Sequence, residues 1–435
     1  MNKIKEAILI FLVILLLAMA PASASDVSYN IRSTVYDSSD SPTPAGDFYW
    51  DASTFSGFWY QIKPGLSSEV LYFHNSVNAS STMKLGDRIA EGDLYYVSKP
   101  QMKKTKIGGM DDESTFIVDG VDLKKYYLMG FFGAQHVVMP EDPATLSAGC
   151  QPDRIAKILM ETDDSGKKQM FPGDTWELAG GWSLVVQQVD VEGKKVWLQL
   201  NKDGVEIDSA VVSGDAELTN TERTYLHKDA DDNPVFYCYV DSVFRGATDD
   251  FVVFKYTFLR GDITTIQTGD SYGAFDVEGF EVPAVISGIN YAGSGGGTKL
   301  NTGDDALVMS SSKDIDLDGK KTIDLYGNMY LKTEDTSSPV LKMTLWMKKT
   351  IKAPASAETK VVEEETVKED DVVVVDLAGT SNEKENTASV DDRMESVPAS
   401  DAGDEAVVES SVKAPGFELL IGLLGLLVAA GLRKY

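Results

Sequence analysis

Between residues 25 and 353 the chain breaks into short apolar runs bounded by tight turns at intervals of roughly 8 to 12 residues, and this spacing restricts it to an all-β fold. Residues 182–189, 195–200 and 205–212 are three successive runs, joined by Glu192-Gly193 and by Lys202-Asp203-Gly204. In the middle run Val196, Leu198 and Leu200 fall on one face and Trp197 and Gln199 on the other, the period-2 pattern of a half-buried strand. Residues 235–241, 251–259, 281–289 and 340–347 continue the series; in the second of these Val252, Phe254, Tyr256 and Phe258 share a face. One helix is expected, at 151–160, where Ile155, Ile158 and Leu159 fall at helical spacing and Pro152 suits the first turn. Many short strands without crossover helices predict β-sandwiches, and about 330 residues is too many for one, so tandem subdomains are expected. Gly-Asp turns recur ahead of apolar runs at Gly86-Asp87, Gly173-Asp174 and Gly269-Asp270, a weak repeat because the dipeptide also occurs elsewhere. The polar stretch 220–233 and the Gly-rich stretch 292–297 are the places for a boundary.

The two ends read differently. Residues 1–24 have Lys3 and Lys5, an apolar run from Ala7 to Ala20 and Ala22-Ser23-Ala24 as a small-x-small site, the layout of a cleaved signal peptide. At the far end, residues 414–435 hold Pro415-Gly416-Phe417, an apolar stretch from Leu419 to Leu432 and the basic end Arg433-Lys434. Fourteen helical residues span only about 21 Å, short of a hydrocarbon core of roughly 30 Å. A short C-terminal hydrophobic helix and a membrane anchor are expected there. The stretch 354–413 carries 17 Asp+Glu against 5 Lys+Arg and no aromatic residue. Such a composition cannot bury enough apolar surface to offset its ordering entropy, so a disordered acidic linker, serving as a stalk, is expected.

Charge excludes one class of function. The chain has 40 Lys+Arg against 68 Asp+Glu, a formal charge of −28, of which −12 lies in 354–413 and −18 in 25–353. A body this acidic repels nucleic acid, which is excluded as a partner.

Residues able to carry chemistry are few. Asp314, Asp316 and Asp318 ahead of Gly319 match the opening of a calcium loop, but Leu325 stands where a bidentate Glu is required. The plainer reading is a strand with Ile315 and Leu317 inward and the acids outward, entering an Asp318-Gly319 turn. Asp229, Asp231, Asp232 and Asn233 form a second acidic cluster on a loop. No cofactor is expected, with calcium the one ion so acidic a surface would attract. Cys150 and Cys238, the two cysteines, suggest a disulfide in an exported chain; two buried free thiols are the alternative. His74, His136 and His227 lie far apart, with no Gly-x-Ser-x-Gly or His-Glu-x-x-His pattern, so no catalytic residue is assigned. Gly293-Ser294-Gly295-Gly296-Gly297 lacks the strand-to-helix context of a phosphate loop, and Asn78-Ala79-Ser80 is an N-glycosylation sequon.

Two resemblances join these observations. The order of Pro415-Gly416-Phe417, apolar helix and basic end resembles the PGF-CTERM sorting tail of archaeal surface proteins, which implies an archaeosortase as processing partner. Phe55-Ser56-Gly57-Phe58-Trp59-Tyr60, Ser68-Glu69-Val70-Leu71, Tyr127-Leu128-Met129-Gly130-Phe131-Phe132-Gly133, the stretches 176–184 and 190–198, Val240 to Gly246, Lys255 to Leu259 and 314–329 occur in an order that resembles the S-layer family duplication domain of methanogenic archaea. That resemblance implies a non-enzymatic structural protein of β-sandwich subdomains, extracellular, anchored to the cell membrane, whose partners are other S-layer subunits. It implies a two-dimensional envelope lattice acting as an acidic molecular sieve. A surface-tethered glycan- or ion-binding protein, an adhesin on the same scaffold, is the alternative.

Overall fold

The computed structural model describes residues 27–39, 48–63, 65–76, 82–291 and 298–351. The expected signal peptide, the acidic stretch, the tail with Pro415, Gly416 and Phe417, Asn78 and the Gly-rich stretch 292–297 lie outside these residues.

The expected all-β class is what the chain adopts: antiparallel sheets joined by turns and three single-turn 3-10 segments among the described residues. The first and last described strands, Val27–Arg32 and Lys342–Ile351, pair with each other along six residues, so the body opens and closes in one sheet. Tyr36–Asp37, Met329–Thr333 and Thr322–Tyr326 complete that five-stranded sheet. A six-stranded sheet runs in the order Ser271–Tyr272, Phe275–Glu281, Asp305–Ser311, Leu94–Ser98, Glu69–Phe73, Phe48–Asp51. The two share one core, in which Trp50, Leu71, Tyr96, Phe275 and Met309 meet Leu325, Leu331, Met343 and Leu345.

The intervening chain builds a second pair. An eight-stranded sheet takes Thr224–Lys228, Pro234–Phe244, Phe251–Thr265, Cys150–Glu161, Ala134–Pro140, Lys125–Phe131 and Gln101–Lys104 in that order, with Lys168–Met170 added to the long strand. The four-stranded meander Thr175–Glu177, Trp182–Asp190, Lys195–Lys202, Val205–Ser213 packs on one face, Leu184, Val186, Leu198 and Leu200 sharing a core with Phe236, Val240, Val252 and Phe254. A further cluster, including Leu128, Val137, Tyr237 and Phe258, joins Trp59, Leu66 and Phe116. The stretch 220–233, expected as a boundary, contains a strand of the eight-stranded sheet.

Three local expectations are corrected. Residues 151–160 form no helix: Cys150–Glu161 is one strand of 12 residues. Its pairings slip beside Ile158, and each bulge resets the alternation of faces, which leaves Ile155, Ile158 and Leu159 at a spacing that imitates a helix. Val252, Phe254, Tyr256 and Phe258 do not share a face. Tyr256 has φ +48, a left-handed kink, and beyond it Phe258 turns into the Tyr237 cluster while Val252 and Phe254 stay in the other core. The expected strand at 281–289 is a 3-10 turn, Ala284–Ile286, because Pro283 withholds the amide a ladder needs. Elsewhere the alternation holds: Val196, Leu198 and Leu200 are buried while Trp197 is exposed.

Candidate functional site

The strand Glu69–Phe73 is buried at all five positions, and it opens with a carboxylate. A carboxylate removed from water costs several kcal/mol unless donors surround it. Glu69 has three: the backbone amide of Trp59 donates to Oε2 at 2.6 Å, and the Tyr96 hydroxyl and the Gly133 amide each donate to Oε1 at 2.7 Å. Burial pushes its carboxyl above the usual carboxylate range, an effect the three donors oppose.

The same side chains clamp a hairpin. Lys125–Phe131 and Ala134–Pro140 belong to the eight-stranded sheet, and the turn between them reaches the six-stranded sheet. The Gly130 amide donates to Ser68 Oγ at 2.7 Å, and Ser98 Oγ donates to the Gly130 carbonyl at 2.6 Å. Ser68 and Ser98 are 3.0 Å apart, which closes the ring of bonds. The Phe132 amide donates to the Tyr96 hydroxyl at 2.8 Å. A Cβ on Gly130 would stand 2.1 Å from Glu69 Oε2, so only glycine allows this approach.

Phe132 and Gly133 take φ of +47 and +77, the pair of left-handed residues that a two-residue hairpin turn demands. For phenylalanine that conformation costs about 1–2 kcal/mol. The ring recovers it in contacts: it stacks on Tyr96 at 4.2 Å between centroids, lies 4.4 Å from Tyr326 and 6.0 Å from Phe275. Tyr96 and Phe275 come from the six-stranded sheet and Tyr326 from the five-stranded one. One turn thus locks three sheets together, and its chemistry is that of a rigid joint.

Trp59, Glu69, Gly130 and Gly133 come from three separate sequence segments that converge here. Residues 39–285, which hold Glu69 and all of its hydrogen-bond donors, match the family described as S-layer protein. The chain belongs to the S-layer protein family. It is similar to the Major S-layer protein of Methanosarcina barkeri, with 26% identity over 406 residues that cover 92% of this chain and 52% of that protein. It is similar also to the Major S-layer protein of Methanosarcina acetivorans, with 29% identity over 325 residues covering 73% of this chain and 41% of that one. The chain spans about half the length of the curated relatives it matches.

In this S-layer family protein the other candidate residues sit apart from the node. Ile315 and Leu317 are buried while Asp314, Asp316 and Asp318, which alternate with them, are exposed, the plainer of the two readings of that stretch. Arg88 donates to Asp314 at 2.6 Å and Asp316 at 3.3 Å, and Lys321 pairs with Asp318 at 2.9 Å. The acidic loop is likewise neutralised by the protein's own cations: Arg260 on Asp229, Arg154 on Asp231 at 2.6 Å and Lys228 on Asp232 at 2.9 Å.

Cys150 and Cys238 are both buried free thiols, in different cores. Their strands are not neighbours, since Phe251–Thr265 lies between them in the sheet. Two ladder steps are about 10 Å, beyond the roughly 7 Å between Cα atoms that a disulfide can bridge, so the bond suggested by sequence does not form here. Burial pushes the Cys150 thiol up to about 12, and the Cys238 thiol up as well.

The histidines are also dispersed. His74 stacks near Tyr72, and His136 Nδ1 lies 2.9 Å from the Ala134 carbonyl, its pKa lowered by burial. His227 Nδ1 lies 2.9 Å from Asp208, which also accepts from Tyr225. The node itself was not among the candidates from sequence. Its one local signal is Glu69 heading the otherwise apolar run Val70-Leu71-Tyr72-Phe73.

Proposed function

We propose that this chain is a structural subunit of the cell surface, assembling into or associating with a two-dimensional S-layer lattice outside the cell. The observation that carries this reading is the Glu69 node, where a buried carboxylate and a strained turn hold three sheets rigid. A tile must transmit lateral force without deforming, and a fully satisfied buried polar network gives one arrangement of the sheets. The Major S-layer proteins of Methanosarcina, to which the chain is similar, support the same reading. On this proposal the body carries no catalytic activity, and its excess of carboxylates makes the lattice openings discriminate solutes by charge as well as size.

The acidic stretch 354–413 would space the body from the membrane, and the Pro415-Gly416-Phe417 segment would direct processing by an archaeosortase and attachment to the membrane. Electron microscopy of envelopes with and without the protein, and of the purified chain, tests the lattice role: ordered arrays are expected, and a persistently monomeric protein overturns it. Mass spectrometry of the native C-terminus tests the tail, where an intact 419–435 segment rules out processing.

A further inference from the structure

The outer face of the five-stranded sheet differs in chemistry from the rest of this acidic body. Trp346 lies at its centre, flanked across the ladders by Arg32 on one side and Tyr330 on the other. The Trp346 and Tyr330 rings lie nearly parallel, 7° between planes and 6.3 Å between centroids. Lys332 Nζ stands 4.9 Å from the Trp346 centroid and 5.3 Å from that of Tyr330, and Arg32 Cζ is 5.9 Å from Trp346. Lys348 opposes Asn30 two residues further along the same face and is exposed. None of Arg32, Lys332 and Lys348 forms an ion pair among the described residues. Carboxylates border the patch as well: Asp324 stands opposite Tyr330 on the edge strand, Asp37 is held by Lys342 at 2.5 Å, and the exposed Glu334 follows two residues after Lys332, its amide donating to the Lys342 carbonyl.

Two cations held over two aromatic rings, with Lys348 two positions beyond Trp346 on the same strand, form a local positive patch in a chain with 68 Asp+Glu against 40 Lys+Arg and so a surplus of acid elsewhere on the same molecule. The rings hold the Arg32 and Lys332 heads in place. Less side-chain freedom then remains to be lost when a partner docks. Arg, Trp and Tyr are also the side chains that most often anchor protein interfaces. We infer that this face is a contact surface for a second copy of the chain, whose carboxylate-rich exterior docks on Arg32, Lys332, Lys348 and Trp346. The inference rests on the lattice reading and specifies its partner and polarity: the contact joins unlike surfaces, so each copy keeps a free basic face and a free acidic one, as a propagating array requires.

The test uses the full chain. The triple variant Arg32→Glu, Lys332→Glu, Lys348→Glu is compared with wild type by sedimentation velocity across a salt series and by electron microscopy, with circular dichroism as the check of fold. If the reversal does not fold, the neutralised set Lys332→Gln, Lys348→Gln takes its place. Exposed pairs are worth about 0.2–1 kcal/mol each, so reversal of three lowers the association constant at least about tenfold, and neutralisation of two about threefold. Wild-type association weakens as salt rises, and the triple variant loses most of that dependence. Because the variant keeps its acidic exterior, mixing it with wild type shortens the assemblies by capping them.

Unchanged association in the variant overturns the inference while leaving the lattice reading intact if wild type still forms arrays. Wild type that stays monomeric overturns both. Loss of binding to an acidic polysaccharide without loss of self-association assigns the face to a glycan instead and overturns the inference.

Discussion

Glu69 and the pair Asp314 and Asp316 are carboxylates handled in opposite ways. Glu69 is wholly buried and its partners are two backbone amides and a hydroxyl, none of them able to turn away. Asp314 and Asp316 lie near the surface, and their partner Arg88 is a long side chain whose own exposure is 59%. Water replaces the second set of contacts at little cost, whereas nothing replaces the first. The acidity that dominates the composition is therefore mostly a property of surfaces, while one carboxylate of 68 holds the fold's joint.

The largest effect expected is from Glu69→Ala. It leaves three buried donors without their Glu69 acceptor, at about 1–3 kcal/mol each, so a loss of at least about 3 kcal/mol is expected in urea unfolding, a large share of a domain's total stability. A loss below about 1 kcal/mol would mean that the node is a bystander. Next comes Tyr96→Phe, which removes one donor to Glu69 and the acceptor of the Phe132 amide, with about 1–3 kcal/mol expected. A double-mutant cycle with Glu69→Gln should show coupling of about 0.5–3 kcal/mol, and strict additivity would break the idea of one network.

The pH dependence separates the two kinds of carboxylate by sign. Burial raises the Glu69 pKa, so its contribution is present below the unfolded value of about 4.3 and is lost as pH rises through the folded one. Asp37, hydrogen-bonded by Lys342 first and then by Ser39, is lowered to about 2. Its contribution is present above an unfolded value of about 3.9 and is lost as pH falls toward 2. Thermal melts should show Asp37→Asn flattening the acid window and Glu69→Gln flattening the window above it; the reverse assignment would contradict the burial argument. The smallest effect belongs to Arg88→Ala, expected at about 0–1 kcal/mol and vanishing at high salt. If it costs as much as Tyr96→Phe, the contrast between buried and surface carboxylates fails.

Much of the fold was legible locally. The alternation of Val196, Leu198 and Leu200 with Trp197, and the inward Ile315 and Leu317 between outward acids, are adjacent-residue patterns that the structure keeps. What misled was irregularity within long strands. Bulges beside Ile158 made a strand look helical, and the kink at Tyr256 sent Phe258 to the opposite core, because a period-2 reading assumes that no residue is inserted. At the site the convergent motifs were visible as separate segments, but nothing in any one of them named the partner of another.

By itself the sequence determined the β class, the inward and outward residues of regular strands and the sign of the charge, since each depends on composition or on neighbours one or two positions apart. The tertiary structure alone decided which acid is buried, that Cys150 and Cys238 stay apart, and that Arg32 meets Trp346. Those facts depend on contacts between residues distant in the chain: Glu69 draws its donors from 10, 27 and 64 residues away. The energy of a buried charge is set by where those donors end up, which only the packing of the sheets specifies.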